Sequence, residues 1–424
     1  MKLRSASTSI PGKGNSVNGD AVWADPETGL FICCDGVSGH ASANLASQTA
    51  IKTIFNVVRA EIGKVRSTAD ATQVLEKAFI EANNAILATS KAKDGDPKSR
   101  PATTATAVLL KNGWASIAHI GDSRAYLIRS NVVRLLTEDH SYGADMIRKG
   151  MWTLDQARKS PYGNTLTRAL GAADYVQVDL LSVELSAGDV FFLSTDGIHD
   201  PLGDAKMRTA IQPLTKLDGA PAVQSVIAQS AAISTRDDAS AVVVWVDELD
   251  QTERTISQDL TANRKMDILS GVHVFKYLSY AELLKVMEVS KKMEVPEGSV
   301  IIQQGATGTD MFVVLSGELS VRKDQTHIAK RGTGEVLGEM AMIDNSARFA
   351  SVVASKPSAL LRIQRDPLFA LMQKEPRLAV KLLWAICSAQ NDRLKETTQN
   401  LVEARAPDSP FHEGHTPFQI ELDE

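Results

Sequence analysis

The chain has 424 residues, 43% of them hydrophobic and 23% charged, room for two or three domains of ordinary globular composition. Its net charge of -5 comes with no basic block, and no apolar run reaches membrane-spanning length, so binding to nucleic acid or to a membrane has no support. Three cysteines (Cys33, Cys34, Cys387) cannot build a disulfide framework and lack zinc-ligand spacing; with no apolar leader in "MKLRSASTSIPGKG", they predict a cytoplasmic protein.

Residues 1 to 247 alternate short β-type runs with helical stretches. Strands are predicted at "LFICCD", "TATAVLL", "WASIAHIGD", "AYLIRS", "VFFLSTD" and "ASAVVVWV", bounded mostly by Gly, Asp or Asn. Two amphipathic helices follow the first strand of this set, one with Leu45, Ile51, Ile54, Phe55 and Val58, the other with Leu75, Phe79, Ala82 and Ile86. A polar loop, "SKAKDGDPKSRP", separates them from the next strand. Helices come in blocks rather than between every strand, which predicts an α+β layered sandwich and not a doubly wound parallel sheet.

Residues 248 to 264 are polar and weakly patterned, and read as a linker. Beyond them, short β-type runs such as "SVIIQQG", "DMFVVLSGELSVRK" and "ALLRIQR" are punctuated by glycines, the pattern of a small β-barrel or jelly roll over residues 265 to 400. A helix over residues 375 to 400 closes this domain, with Leu378, Val380, Leu382, Leu383, Ile386 and Leu394 on its apolar face. Residues 401 to 424, with His412 and His415, read as a disordered tail.

Four predicted strands carry acids at their ends: Asp35 followed by Gly36, Asp122, Asp196, and the pair Asp237 and Asp238. Acids gathered at one edge cannot all stay ionised without cations, and Mg²⁺ or Mn²⁺ are the hard ions that suit oxygen ligands. Two such ions sharing a carboxylate can hold and deprotonate water for attack on a phosphoryl group. Gly36 leaves its carbonyl open as a further ligand.

In order, "NGDAVW", "CCDGVSGH", "TTATAVLL", "GDSRAYLI", "LTEDHS", "NTLTRALG", "GDVFFLSTDGIHD" and "RDDASAVVV" resemble the metal-dependent protein phosphatases of the type 2C or PPM family. The resemblance covers residues 1 to 247 and implies an αββα sandwich with serine/threonine phosphatase activity on phosphoprotein substrates. It implies that Asp35 bridges two metals, Gly36 offers its carbonyl, Asp196 and Asp237 complete the first metal, and Asp122 joins Asp196 at a third, weaker one. The segment from 140 to 180 is implied as a mobile flap.

Three positions depart from the family pattern. Asn15 stands where the family has a phosphate-binding arginine, and Gly19 where it has a glutamate on the second metal, leaving Asp20 to hold that side. Val37 stands where some members have a histidine. The rival reading is therefore a phosphatase-like module that binds phosphoproteins with little or no turnover.

"GEVLGEMAMIDNSARFASV" resembles the phosphate-binding cassette of cyclic nucleotide-binding domains, a resemblance spanning residues 268 to 395. It implies that Arg348 meets the cyclic phosphate, that Glu339 takes the ribose 2′-hydroxyl, and that the turn at Gly338 aims backbone N–H groups at the anion. Phe349 occupies a position that is usually small or hydroxylated and that contacts the ligand. With no Thr or Ser directly after Arg348 to engage guanine, cAMP is favoured over cGMP. The oligomeric state has no signature in the sequence.

Overall fold

"LFICC" becomes strand β3 (Leu30–Cys34), buried at all five positions because it is covered on both faces. Leu30, Ile32 and Cys34 face a helical layer, while the alternate residue Cys33 faces a second sheet, its sulfur 3.9 Å from the Ser240 carbonyl. The computed structural model describes residues 1–37, 43–89, 100–249, 262–324, 326–342 and 347–404. They form two units: Met1–Ser270 with Ser279–Lys292, and Gly271–Leu278 with Met293–Glu424.

In the first unit one sheet runs β1 (Lys2–Ile10), β10 (Ala239–Glu248), β9 (Val190–Ser194), β6 (Arg124–Arg129), β7 (Val132–Leu135). The other runs β2 (Ala21–Asp25), β3, β4 (Ala105–Lys111), β5 (Trp114–Ile120), β8 (Asp179–Glu184). Every neighbouring pair is antiparallel. Helices α1 (Ala43–Glu61) and α2 (Thr68–Thr89) cover the second sheet, and α5 (Asp196–Ile211) and α6 (Gly219–Ala231) cover the first. This is the layered αββα sandwich the motifs implied. One helix residue differs from expectation: Leu45 is 47% exposed, and Ala46 and Ala50 take the inner face of α1, where sheet and helix approach closely.

The topology gathers the acids. β3 and β5 are both antiparallel to β4, so they end at the same edge, and β9 ends there beside the start of its antiparallel neighbour β10. Asp35, Asp122, Asp196 and Asp237 sit one to two residues beyond those strand ends. Two short helices, α3 (Tyr142–Arg148) and α4 (Leu154–Lys159), form the segment read as the flap, each started by a side-chain cap, Ser141 and Thr153.

Helices α7 (Ala262–Gly271) and α8 (Tyr280–Glu288) follow β10. α8 lies within the first unit although the sequence grouped it with the second domain. Most of the predicted linker, 250–261, lies outside the described residues, as do the loop at 90–99 and the tail from 405 on, including His412 and His415.

Two four-stranded antiparallel sheets build the barrel. One is ordered β11 (Ser290–Val295), β18 (Ser358–Ile363), β13 (Met311–Ser316), β16 (Val336–Leu337); the other β12 (Val300–Ile302), β17 (Ser351–Ala354), β14 (Leu319–Lys323), β15 (Thr326–Arg331). Phe312, Val314, Leu319, Val352 and Leu360 fill it. Helices α9 (Arg365–Lys374) and α10 (Pro376–Ala404) follow. α10 buries Leu378, Leu382, Ala385 and Ile386, whereas Val380 and Leu383 of the expected apolar face are exposed. No helix among the described residues is long and apolar enough to cross a membrane.

Candidate active site

Asp35 leaves β3 into a backbone cradle. Its carbonyl accepts from the Thr104 N–H and the Thr103 hydroxyl, both at 2.8 Å, and its own N–H donates to Thr104 Oγ1 at 2.9 Å. Gly36 follows at a point where any Cβ would lie 2.5 Å from the Ala43 carbonyl and 2.6 Å from that of Gly19, so only glycine lets these backbones approach. Asp196 opens α5, directly after β9, and its Oδ1 is buried with no hydrogen-bond partner among the described residues.

Asp35, Asp122, Asp196 and Asp237 line one cleft of about 510 Å³, together with Asn164 and Arg168 from the flap segment. Burial, then the neighbouring Asp196 charge, pushes the Asp35 carboxyl well above the usual carboxylate range. Asp122 is raised by the same two causes, and burial lifts Asp196 to about 6. The Asp35 and Asp196 carboxyl groups are near enough for the Asp196 charge to raise Asp35, an arrangement that calls for a shared proton or a cation. An all-oxygen donor set with an orphaned carboxylate oxygen fits a hard divalent ion. Among the described residues no three His, Cys, Asp or Glu side chains converge on one point, so carbonyl and water oxygens must complete any coordination shell.

Asp20 is placed differently from Asp35. It is buried behind the cleft, accepts from the Thr195 hydroxyl at 2.9 Å, and is pushed up to about 7 by burial. The departures at Asn15 and Gly19 have one structural correlate, Asp238, which the sequence left without a role. Its Oδ1 accepts from the Gly12 N–H at 2.7 Å and the Asn15 side-chain amide at 2.8 Å, and its Oδ2 from the Gly19 N–H at 2.6 Å. Asn15 is thereby engaged as a loop clamp.

Across the cleft, His140 Nδ1 accepts from the Gly121 N–H at 3.1 Å, which leaves its Nε2–H to donate to Asp179 at 3.1 Å. Arg168 donates to the other Asp179 oxygen at 2.9 Å. Burial opposes the charge on Asp179, but these partners win and hold its carboxyl below the usual range. Sequence reasoning missed this network; the only hint was that His140 and Arg168 fall inside quoted motifs.

In the second unit, the Arg348 guanidinium donates to the Asp310 carbonyl at 2.7 Å and to that of Gly338 at 3.4 Å. Gly338 has φ 76°, and a Cβ there would meet Arg348 Nη1 at 2.5 Å, so the turn needs glycine twice over. Glu339 is buried at the start of the 3₁₀ turn Glu339–Met342, while residues 343–346 lie outside the described set. Phe349 is 66% exposed, with the Lys323 ammonium 4.0 Å from its ring centre.

Residues 13–237 match the family model for protein phosphatase 2C. The chain belongs to the protein phosphatase 2C family. It is a PPM-type serine/threonine phosphatase, and residues 292–375 match the model for a cyclic nucleotide-binding domain. The serine/threonine phosphatase stp of Listeria innocua is 28% identical over 198 residues, 47% of this phosphatase and 77% of that protein. The serine/threonine protein phosphatase PstP of Mycobacterium tuberculosis is 31% identical over 212 residues, 50% of this chain but 39% of that one. The crystal structure of the Mycobacterium tuberculosis phosphatase PstP/Ppp covers 58% of this chain and 99% of its own at 28% identity, with a TM-score of 0.51.

Proposed function

We propose that the chain hydrolyses phosphoserine and phosphothreonine esters of proteins with Mg²⁺ or Mn²⁺ at the Asp35–Asp196 cleft, and that cyclic nucleotide bound by the second unit regulates this. The observation that carries the first half is the pairing of Asp35 and Asp196 in one cleft with the orphaned Asp196 Oδ1, which a divalent cation would satisfy. When bound, the ions supply a hydroxide nucleophile at neutral pH and positive charge for the phosphoryl oxygens.

This chain's own residues do the rest. Asp35 and Asp196 would hold the ions, with Asp237 and the Gly36 carbonyl as further oxygen donors, and Asp122 would serve a third, weaker site. Asp20, buried and not among the residues lining the cleft, would act on the second ion through water. Arg168, oriented by Asp179, takes the phosphate charge that Asn15 cannot, and Asn164 orients the ester beside it.

Arg348 and Gly338 would bind the cyclic phosphate and Glu339 the ribose, in exchange for the internal contacts that Arg348 makes now. Phe349, exposed beside the pocket's arginine, leaves cAMP favoured over cGMP. A cyclic nucleotide ligand is the argument for a cytoplasmic protein. The experiment is phosphate release from a phosphothreonine peptide by the full chain, titrated with Mn²⁺, with and without cAMP or cGMP. Metal-dependent turnover that changes with nucleotide supports the reading. Binding of the peptide without turnover supports the rival module, for which the loss of the family's arginine and glutamate at Asn15 and Gly19 is the specific argument.

A further inference from the structure

Helix α8 packs on β7 and β8 of the phosphatase unit, with Leu283, Leu284 and Val286 buried. The Arg134 guanidinium, from β7, lies 5.0 Å over the Tyr280 ring. A capping box starts the helix: Ser279 Oγ accepts from the Glu282 N–H at 3.2 Å, and the Glu282 carboxylate accepts from the Ser279 N–H at 2.7 Å. The same Ser279 hydroxyl donates to Glu138 Oε1 at 3.4 Å.

Glu138 has a second partner. Its Oε2 is 3.5 Å from Arg148 Nη1, at the end of flap helix α3. Arg148 also donates to the Asp139 carbonyl at 3.1 Å and pairs with Asp145. The Glu138 carbonyl is held by His119 Nε2 at 3.0 Å, so the backbone is fixed while the carboxylate spans two elements. Both side-chain contacts are long, and Glu138 is half-exposed, so they can exchange without unfolding either helix.

We propose that Glu138 is a positioning residue through which helix α8 sets the flap and hence the hold on a phosphopeptide. The link to regulation rests on the reading of the second unit as a nucleotide sensor. The chain on both sides of Ser279–Lys292 belongs to that unit, so a rearrangement there acts on α8 at both ends. The flap helices α3 and α4 contribute no residue to the cleft lining, which the flap segment reaches through Asn164 and Arg168, so the effect of moving α3 belongs to peptide KM and not to a small aryl phosphate.

The test uses the full chain with saturating Mn²⁺ and the variants Glu138→Gln, Ser279→Ala and the conservative Ser279→Thr. Glu138→Gln and Ser279→Ala should raise KM for a phosphothreonine peptide roughly threefold or more at near wild-type kcat, leave para-nitrophenyl phosphate unchanged, and shrink any cAMP or cGMP effect on peptide KM. Ser279→Thr should restore wild-type values. Amide exchange over 142–148 should be severalfold faster in Ser279→Ala, a readout that needs no activity. Unchanged flap exchange and peptide KM in Ser279→Ala overturn the proposal. A wild-type enzyme that turns over without any nucleotide response overturns the sensor reading instead, with flap exchange still deciding for Glu138.

Discussion

The side-chain amide of Asn15 donates to Asp238 Oδ1 at 2.8 Å, and that contact explains a pair of departures that look independent in the sequence. The family pattern has an arginine at position 15; here a side-chain amide stands there and meets the acid at 238. Asp238 accepts three hydrogen bonds from the loop between Gly12 and Gly19, so both of its oxygens serve as acceptors. Loss of the arginine is thus coupled to a loop clamp beside the cleft.

Asp238→Asn should destabilise the phosphatase unit. An asparagine keeps one acceptor oxygen and turns an NH₂ toward either the Gly19 N–H or the Gly12 and Asn15 donors, a loss of about 1–3 kcal/mol. The check is the midpoint of the first urea transition of the full chain, which should fall. The Asn15→Asp, Asp238→Asn double variant should recover part of it; an unshifted midpoint in the single variant contradicts the clamp.

Restoring a glutamate at position 19 appeals from the sequence, yet the structure predicts that Gly19→Glu does not tighten metal binding. A Cβ there lies 3.3 Å from the Gly36 carbonyl and 3.4 Å from Asp238 Oδ2, against a carboxylate already bound to the Gly19 N–H. Crowding and like charge both act against it. A Mn²⁺ titration of activity should move to higher concentration or stay in place; a clear move to lower concentration would refute this.

Stability should fall in mild acid. His119 is fully buried, and burial lowers its pKa to about 3 in the folded chain, against an unfolded value of about 6.5. Between those values the unfolded state binds the extra proton. The stabilisation is therefore complete above pH ~6.5 and is lost by about 1.4 kcal/mol per pH unit as pH drops toward 3. His199, buried and also lowered by desolvation, adds a loss of the same sign. Denaturation midpoints from pH 7 to pH 5 should show the decline, and His119→Gln should flatten it.

Arg348→Ala should weaken cyclic nucleotide binding more than tenfold, because removing one partner of an enclosed charge pair costs roughly 2–5 kcal/mol. Arg348→Lys should not rescue it, since one ammonium cannot reproduce a fork that reaches both the Asp310 and Gly338 carbonyls. Calorimetry with cAMP and cGMP on the full chain reads both; equal affinity in Arg348→Ala and wild type would remove the arginine from the site.

The sandwich and the four cleft acids were legible because each acid directly ends or begins an apolar run, and antiparallel pairing sends those ends to one edge. What was not legible depends on partners remote in sequence. "YAELLKVME" announces a helix, but nothing in its pattern says whether it joins the barrel or, as it does, the phosphatase unit. Asp238 reads as one more acid at a strand start; only the three donors converging on it reveal a clamp. Phe349 reads as a ligand contact by position, whereas its exposed ring meets the Lys323 ammonium.

The measurement that bears most directly on the account is Mn²⁺ binding and phosphate release compared in wild type, Asp35→Asn and Asp196→Asn. Each substitution removes one acid of the pair while preserving its shape. The account predicts that wild type binds Mn²⁺ and releases phosphate from a phosphothreonine peptide, and that both variants remain folded, lose the ion and fall at least a hundredfold in turnover. Folded variants that turn over at wild-type rate with Mn²⁺ present would contradict it.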